Sequence, residues 1–133
     1  MNKELIELQR GSKATCVVVK NSDLNKLGNA VYKMDSRIND ALLFGAKMGN
    51  PIFKEKVDMI SKNGEIGYFV ITNFDSLSFD EQNKYVPLIK DRELLGYTLP
   101  DNIIIVLSIE NKESLKNISS EIYHFCVVSI SKE

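Results

Sequence analysis

Two uninterrupted apolar runs constrain this chain more than any other feature: "IGYFVI", residues 66–71, and "NIIIVLSI", residues 102–109. Runs of this kind, short and free of polar interruption, are expected as central strands of a parallel sheet, covered on both faces. "ATCVVVK", 14–20, is β-branched and predicts a further strand, and "FCVVSI", 125–130, predicts a last one. Helical patterns separate the strands. "NSDLNKLGNAVYKM", 21–34, is read as a helix capped by Ser22 or Asp23 that buries Leu24, Leu27 and Val31. "PIFKEKVDMISKNG", 51–64, starts with Pro51 at a first helical position and brings Phe53, Val57 and Ile60 onto one face. "SFDEQNKYVPLIKDREL", 78–94, predicts a helix capped by Ser78, with Glu81 at the capping-box position and a kink at Pro87. Residues 1–10 suit a short amphipathic helix, and 35–50 suit either a helix or a short "ALLF" strand. "LLGYTLPDN" is a turn region, and "NKESLKNISSEIY" is a loop with a helical turn.

Strands alternating with helices predict an α/β fold, a parallel sheet flanked by helices on both faces. Val18, Phe69, Ile71, Ile104, Val106 and Val127 are its expected core. The 133 residues fit one domain, 1–133, and 44% hydrophobic residues are enough for a real core. A formal charge of −1, from 17 basic and 18 acidic residues, excludes a general nucleic-acid binder. No apolar run approaches a membrane span, and the N-terminus has no apolar signal core, so a soluble cytoplasmic protein is expected. Cys16 and Cys126 sit in strand-like runs and read as reduced, buried thiols. With one histidine and no Cys-x-x-Cys or His-Glu-x-x-His spacing, no metal site is expected.

From residue 66 onward the order of motifs resembles the core of AAA+ ATPases, in particular the MoxR-like and dynein-related branch. In that branch an apolar strand ends in Asp-Glu, and a helix, an "ER" pair, a glycine turn, "LPDN" and a second apolar strand follow. Here "IGYFVI" is followed without a gap by "TNFDSLSFDEQNKYVPLIKDRELLGYTLPDNIIIVLSIEN". The most specific part is "DEQNKYVPLIKDRELLGYTLPDN", and residues 1–65 follow the family only in element order. The resemblance implies a P-loop NTPase (AAA+)-like core. With the sequence ending at residue 133, no lid domain is expected.

It also implies where the chemistry should lie, and the residues there are wrong for it. A phosphate loop needs glycines, a Lys and a Ser/Thr between the first strand and its helix. That junction reads "VVVKNSDLNKLGNAV", in which Lys20, Asn21 and Ser22 are the weak candidates for a phosphate contact. At the positions of the metal-associated Asp and the water-activating Glu stand Thr72 and Asn73. Threonine brings no charge to a magnesium shell, and asparagine cannot act as a base. Asp75 is the next acid and is expected to cap or orient the following loop. Asn111 matches the sensor-one residue, or is a plain turn residue. His124 falls at the arginine-finger position, or is a surface residue at a strand start.

Phosphoryl transfer rests on positioning and charge stabilisation, so these changes leave little with which to hydrolyse ATP. The expectation is a pseudo-ATPase: a non-enzymatic, AAA+-like interaction module without a cofactor, whose protein partner is an AAA+ ATPase or another copy of itself. Tyr85, Arg92, Leu95 and Tyr97 lie near one turn and are of the types that anchor interfaces, although Leu95 and Tyr97 also suit closing the core. The alternatives are a residual ATP-binding subunit of an AAA+ assembly and an unrelated α/β protein. Against a receiver-like version of the latter, Lys20 and Asn21 stand where its acids would be.

Overall fold

The run Ile103–Ile109 is buried at all seven positions, which only the middle of a sheet with both faces covered allows. The structure, a computed structural model, describes residues 16–28, 30–38, 51, 53–62 and 64–128. Its strands are β1 (Cys16–Lys20), β2 (Val31–Asp35), β3 (Gly67–Thr72), β4 (Glu93–Leu94), β5 (Tyr97–Thr98), β6 (Ile103–Ile109) and β7 (Cys126–Val128). Its α-helices are α1 (Lys54–Ser61), α2 (Phe79–Asn83), α3 (Val86–Asp91) and α4 (Ser120–Tyr123). Short 3-10 helices occupy Asn21–Leu27, Phe74–Ser76 and Lys112–Asn117. Five strands form one parallel sheet in the order β2-β3-β6-β1-β7, and β4 and β5 form a separate hairpin. Register runs straight across the sheet: Lys33 lies beside Val70, Val70 beside Val106, Val106 beside Val17 and Val17 beside Val127.

The chain leaves β1 towards β2 in one direction, and every later crossover runs the other way. Right-handed crossovers then place the two sets of connections on opposite faces. The core divides accordingly. On one face Val18, Phe69, Ile71, Ile105 and Leu107 pack with Val57 of α1, Leu88 and Ile89 of α3 and Ile122 of α4. On the other, Val17, Val19, Tyr68, Val70, Ile104 and Val106 pack with Leu24 and Leu27 of the first 3-10 helix. The expected helical cover on that second face is therefore, among the described residues, a 3-10 helix rather than an α-helix.

Several elements differ from expectation. Residues 21–34 are not one helix. The 3-10 helix stops at Leu27, Gly28 turns the chain at φ 94°, and Val31–Asp35 is a strand. A φ of that sign suits glycine, and the β-branched and aromatic Val31 and Tyr32 then favour extended backbone. Leu24 and Leu27 are buried as expected, but Val31 is half-buried in an edge strand. Lys20 occupies the cap position with no side-chain bond, so neither Ser22 nor Asp23 caps. The helix predicted for 51–64 spans only Lys54–Ser61, and Pro51 precedes it instead of opening it. The helix predicted for 78–94 is two helices. Pro87 cannot tolerate the carbonyl of Asn83 in a continuing helix, and α2 ends at Asn83. Its predicted cap is present: Ser78 Oγ accepts the Glu81 amide at 3.2 Å. Val127 is half-buried, because β7 is an edge strand; the other five expected core residues are buried. The ambiguous stretch 35–50 opens on the last residue of β2, Asp35, and a turn; its residues 39–50, the helix expected at 1–10 and the end of the last strand from 129 lie outside the described residues.

Candidate functional site

In an open α/β sheet, ligands bind beyond the carboxyl ends of the strands, where neighbouring strands send their connections in opposite directions. Here that point lies at β1 and β6, with β3 on the far side of β6. The topology thus gathers Lys20, Asn21 and Ser22 after β1, Thr72 and Asn73 at the end of β3, and Ser108 to Asn111 at the end of β6.

The side chains at this edge bond to one another. Asn21 Nδ2 donates to Asn73 Oδ1 at 2.9 Å. β1 and β3 flank β6, roughly 10 Å apart, so this bond bridges over the tip of β6. The Asn73 amide donates to Ser108 Oγ at 3.1 Å. The Asn73 carbonyl accepts from Ser76 Oγ at 2.7 Å and from Ser36 Oγ at 3.1 Å. Asn73 holds a left-handed backbone, φ 54° and ψ 41°, which asparagine tolerates better than most residues. Thr72 Oγ1 turns sideways to the Met34 carbonyl at 3.5 Å. Asp75 accepts the Glu110 amide at 3.3 Å and so ties the loop after β3 to the loop after β6.

At the end of β3, Thr72 and Asn73 are both uncharged. β1 passes through extended Lys20 directly into the 3-10 helix, with no intervening loop of free amides. Within the first turn of that helix, Asp23 is buried and pairs with Lys26 at 3.1 Å. The pair is close to neutral as a whole, so this turn offers no net positive charge to a phosphate. Asn111 is exposed, and its Oδ1 accepts the Ser114 amide at 3.1 Å, capping the helix that follows. It acts there as a turn residue. Among the described residues no group of three or more His, Cys, Asp or Glu is placed to hold a metal ion.

His124 is elsewhere. It precedes β7 and so lies at the amino-terminal end of the parallel sheet, away from Asn21 and Asn73. Its ring stands edge-on to Phe125 at 5.1 Å, and it lines an open depression of about 400 Å³ with Val86, Lys90 and Glu121.

Of the four candidate interface residues, three are engaged inside the molecule. Tyr85 is buried and donates its hydroxyl to the Ser36 carbonyl at 2.8 Å. Arg92 Nη2 donates to the Pro100 and Ile103 carbonyls at 2.9 and 2.6 Å; burial lowers its pKa and Asp101 partly offsets that. Tyr97 is buried and donates to Asp58 Oδ1 at 2.5 Å, with Lys54 over its ring at 5.4 Å. Burial, and after it the Asp58 carboxylate, push the Tyr97 hydroxyl pKa up. Only Leu95 is exposed, at the tip of the β4–β5 hairpin, where it takes φ 53° and Gly96 takes φ 82°. Two successive positive φ values are what a two-residue hairpin turn demands.

Sequence reasoning missed Ser36 and Ser108. Ser108 had a visible signal, as the single polar residue near the end of an otherwise apolar strand. Ser36 had none, because its role depends on β2 lying beside β3. No known family model matches the chain, and no curated protein matches it. Among the described residues no helix is long and apolar enough to cross a membrane.

Proposed function

We propose that the chain is a non-hydrolysing AAA+-like domain that serves as a protein-interaction module, docking on an active ATPase or on a second copy of itself. The observation that carries this reading is the amide bridge from Asn21 to Asn73. On this reading, a residue of the phosphate-loop junction and the residue that the resemblance matches to the base hold each other instead. Two carboxamides satisfied by each other offer neither charge nor proton acceptance. A rigid sheet with exposed loops remains useful as a binding scaffold after such a site is lost. The contact assigned to it is the hairpin tip, where Leu95 projects an apolar side chain in a backbone conformation costly for leucine.

Titration with ATP and magnesium tests the first half of the proposal. The expected affinity is weaker than about 1 mM, worth roughly 4 kcal/mol, with no phosphate release. Turnover that Lys20→Ala or Asn73→Ala abolishes would overturn it. Leu95→Asn tests the second half, since asparagine accepts the turn but removes the apolar contact. Light scattering of the pure protein and capture of an ATPase from native cytoplasm are the readouts. A strict monomer that captures no ATPase, or an association unchanged by Leu95→Asn, refutes the docking role.

A further inference from the structure

We infer that Cys16 and Cys126 form a reversible thiol–disulfide latch that fastens the edge strand β7 to β1. The two residues are register partners on adjacent parallel strands, although they are 110 residues apart in sequence. Both project towards the same core face, and their sulfurs lie 2.7 Å apart. Neighbouring strands lie about 4.7–4.9 Å apart, inside the range of Cα separations a disulfide accepts and near its short end. Each sulfur also lies at a carbonyl of the turn before β7: Cys126 Sγ donates to Ile122 at 3.2 Å, and Cys16 Sγ to Phe125 at 3.6 Å. Among the described residues, β7 pairs with β1 at three register positions, and all three of its residues are half-buried.

The two thiols suit different steps. Cys126 is half-buried, whereas Cys16 is fully buried. Contact with the Cys126 sulfur and then burial hold the Cys16 thiol well above its ordinary pKa. The oxidant is a low-molecular-weight disulfide such as glutathione disulfide. The Cys126 thiolate attacks one of its sulfurs, forming a mixed disulfide and releasing one glutathione thiolate. Cys16 then gives up its proton and attacks the Cys126 sulfur, releasing the second glutathione. One disulfide is reduced to two thiols while Cys16 and Cys126 are oxidised to one disulfide, so the electrons balance.

The test is incubation of the folded full chain with glutathione disulfide, followed by intact mass and peptide mapping. The expected product has lost two hydrogens, carries no glutathione and links residues 16 and 126. Its thermal midpoint lies above that of the reduced chain by roughly 10 °C, since the cross-link closes a very long loop, and dithiothreitol returns it. Cys16→Ser is expected to stop at a stable glutathione adduct on Cys126, and Cys126→Ser to give neither link nor adduct. Differential alkylation of the unsubstituted protein keeps the test decisive if either variant misfolds. The latch is overturned if the folded chain keeps both thiols, if the Cys126 adduct forms and never resolves, or if the link appears only in denaturant.

Discussion

In the middle of β3, Phe69 is wholly buried between the rings of Phe53, at 4.5 Å, and Tyr32, at 5.8 Å. At the carboxyl end of the same strand, Asn73 is half-exposed, left-handed, and bonded to Asn21 through one carboxamide. The two places follow different physics. The middle is set by apolar area removed from water, which depends on volume and shape and hardly on chemistry. The tip is set by a few directional bonds between small polar groups, each worth about 1 kcal/mol. A sheet of this kind can exchange every residue at its tips and keep its fold, so the fold alone carries no information about activity.

The largest expected effect tests the middle. Phe69→Ala removes the ring that joins Phe53 to Tyr32 and should destabilise the protein by about 3–5 kcal/mol in urea unfolding. A loss below about 1 kcal/mol would mean that the sheet centre is not what holds the molecule together. The next effect belongs to the tip. Asn73→Ala loses the bond to Asn21 and puts a Cβ-bearing residue at φ 54° without a compensating side chain, for about 2 kcal/mol. Asn73→Gly loses the same bond but accepts the backbone, so it should cost about half as much. If alanine and glycine cost the same, the left-handed conformation contributes nothing at this position.

The same division explains what the sequence alone could disclose. The strands at 16–20, 67–72 and 103–109 were legible because their burial is written as runs of adjacent apolar letters. The strand at 31–35 was not. Val31 continued the helical spacing of Leu24 and Leu27, and the turn at Gly28 that breaks the spacing is a matter of one dihedral angle. At the tips, the absence of a phosphate loop and of strand-end carboxylates was legible as missing letters. The Asn21–Asn73 bridge was not, since the two residues meet only after β6 is placed between their strands. Tyr85, Arg92 and Tyr97 read as surface anchors, and of the three only Tyr97 read also as closing the core. Their hydroxyl and guanidinium partners are backbone carbonyls and a carboxylate from distant segments, which no local pattern announces.

Tyr97 and Asp58 sharpen the comparison, being a polar pair that is structural rather than residual. Burial raises the Asp58 pKa, but the Tyr97 hydroxyl and Lys54 outweigh it, and the net shift is downward. A depressed carboxyl stabilises the fold above its unfolded value, about 3.9, and that stability is lost as pH falls through the lower folded value. Tyr97 is shifted the other way. Its contribution is complete below the unfolded tyrosine value, about 10, and is lost as pH rises from there towards the folded value. Tyr97→Phe should therefore cost about 1 kcal/mol near neutral pH and flatten both limbs of the stability–pH curve. Unchanged limbs would show that the hairpin is not pinned to α1 through this bond.

The smallest expected effect bears most directly on function. In a double-mutant cycle, Asn21→Ala and Asn73→Gly should show a coupling of about 0.5–1 kcal/mol, the worth of one partly exposed amide–amide bond. The instructive measurement is nucleotide binding by the double variant. If the bridge merely blocked an otherwise competent site, opening it would let ATP and magnesium in, and the double variant would bind nucleotide more tightly than the parent. The arrangement behind the bridge argues against that outcome. β1 still enters a 3-10 helix at Asn21 with no cradle of amides, and the Asp23–Lys26 pair still offers no net positive charge. The expected result is a slightly less stable protein that is equally blind to nucleotide. Binding gained by the double variant would instead make the bridge a gate over a surviving site, and would replace the interaction module with a nucleotide-regulated one.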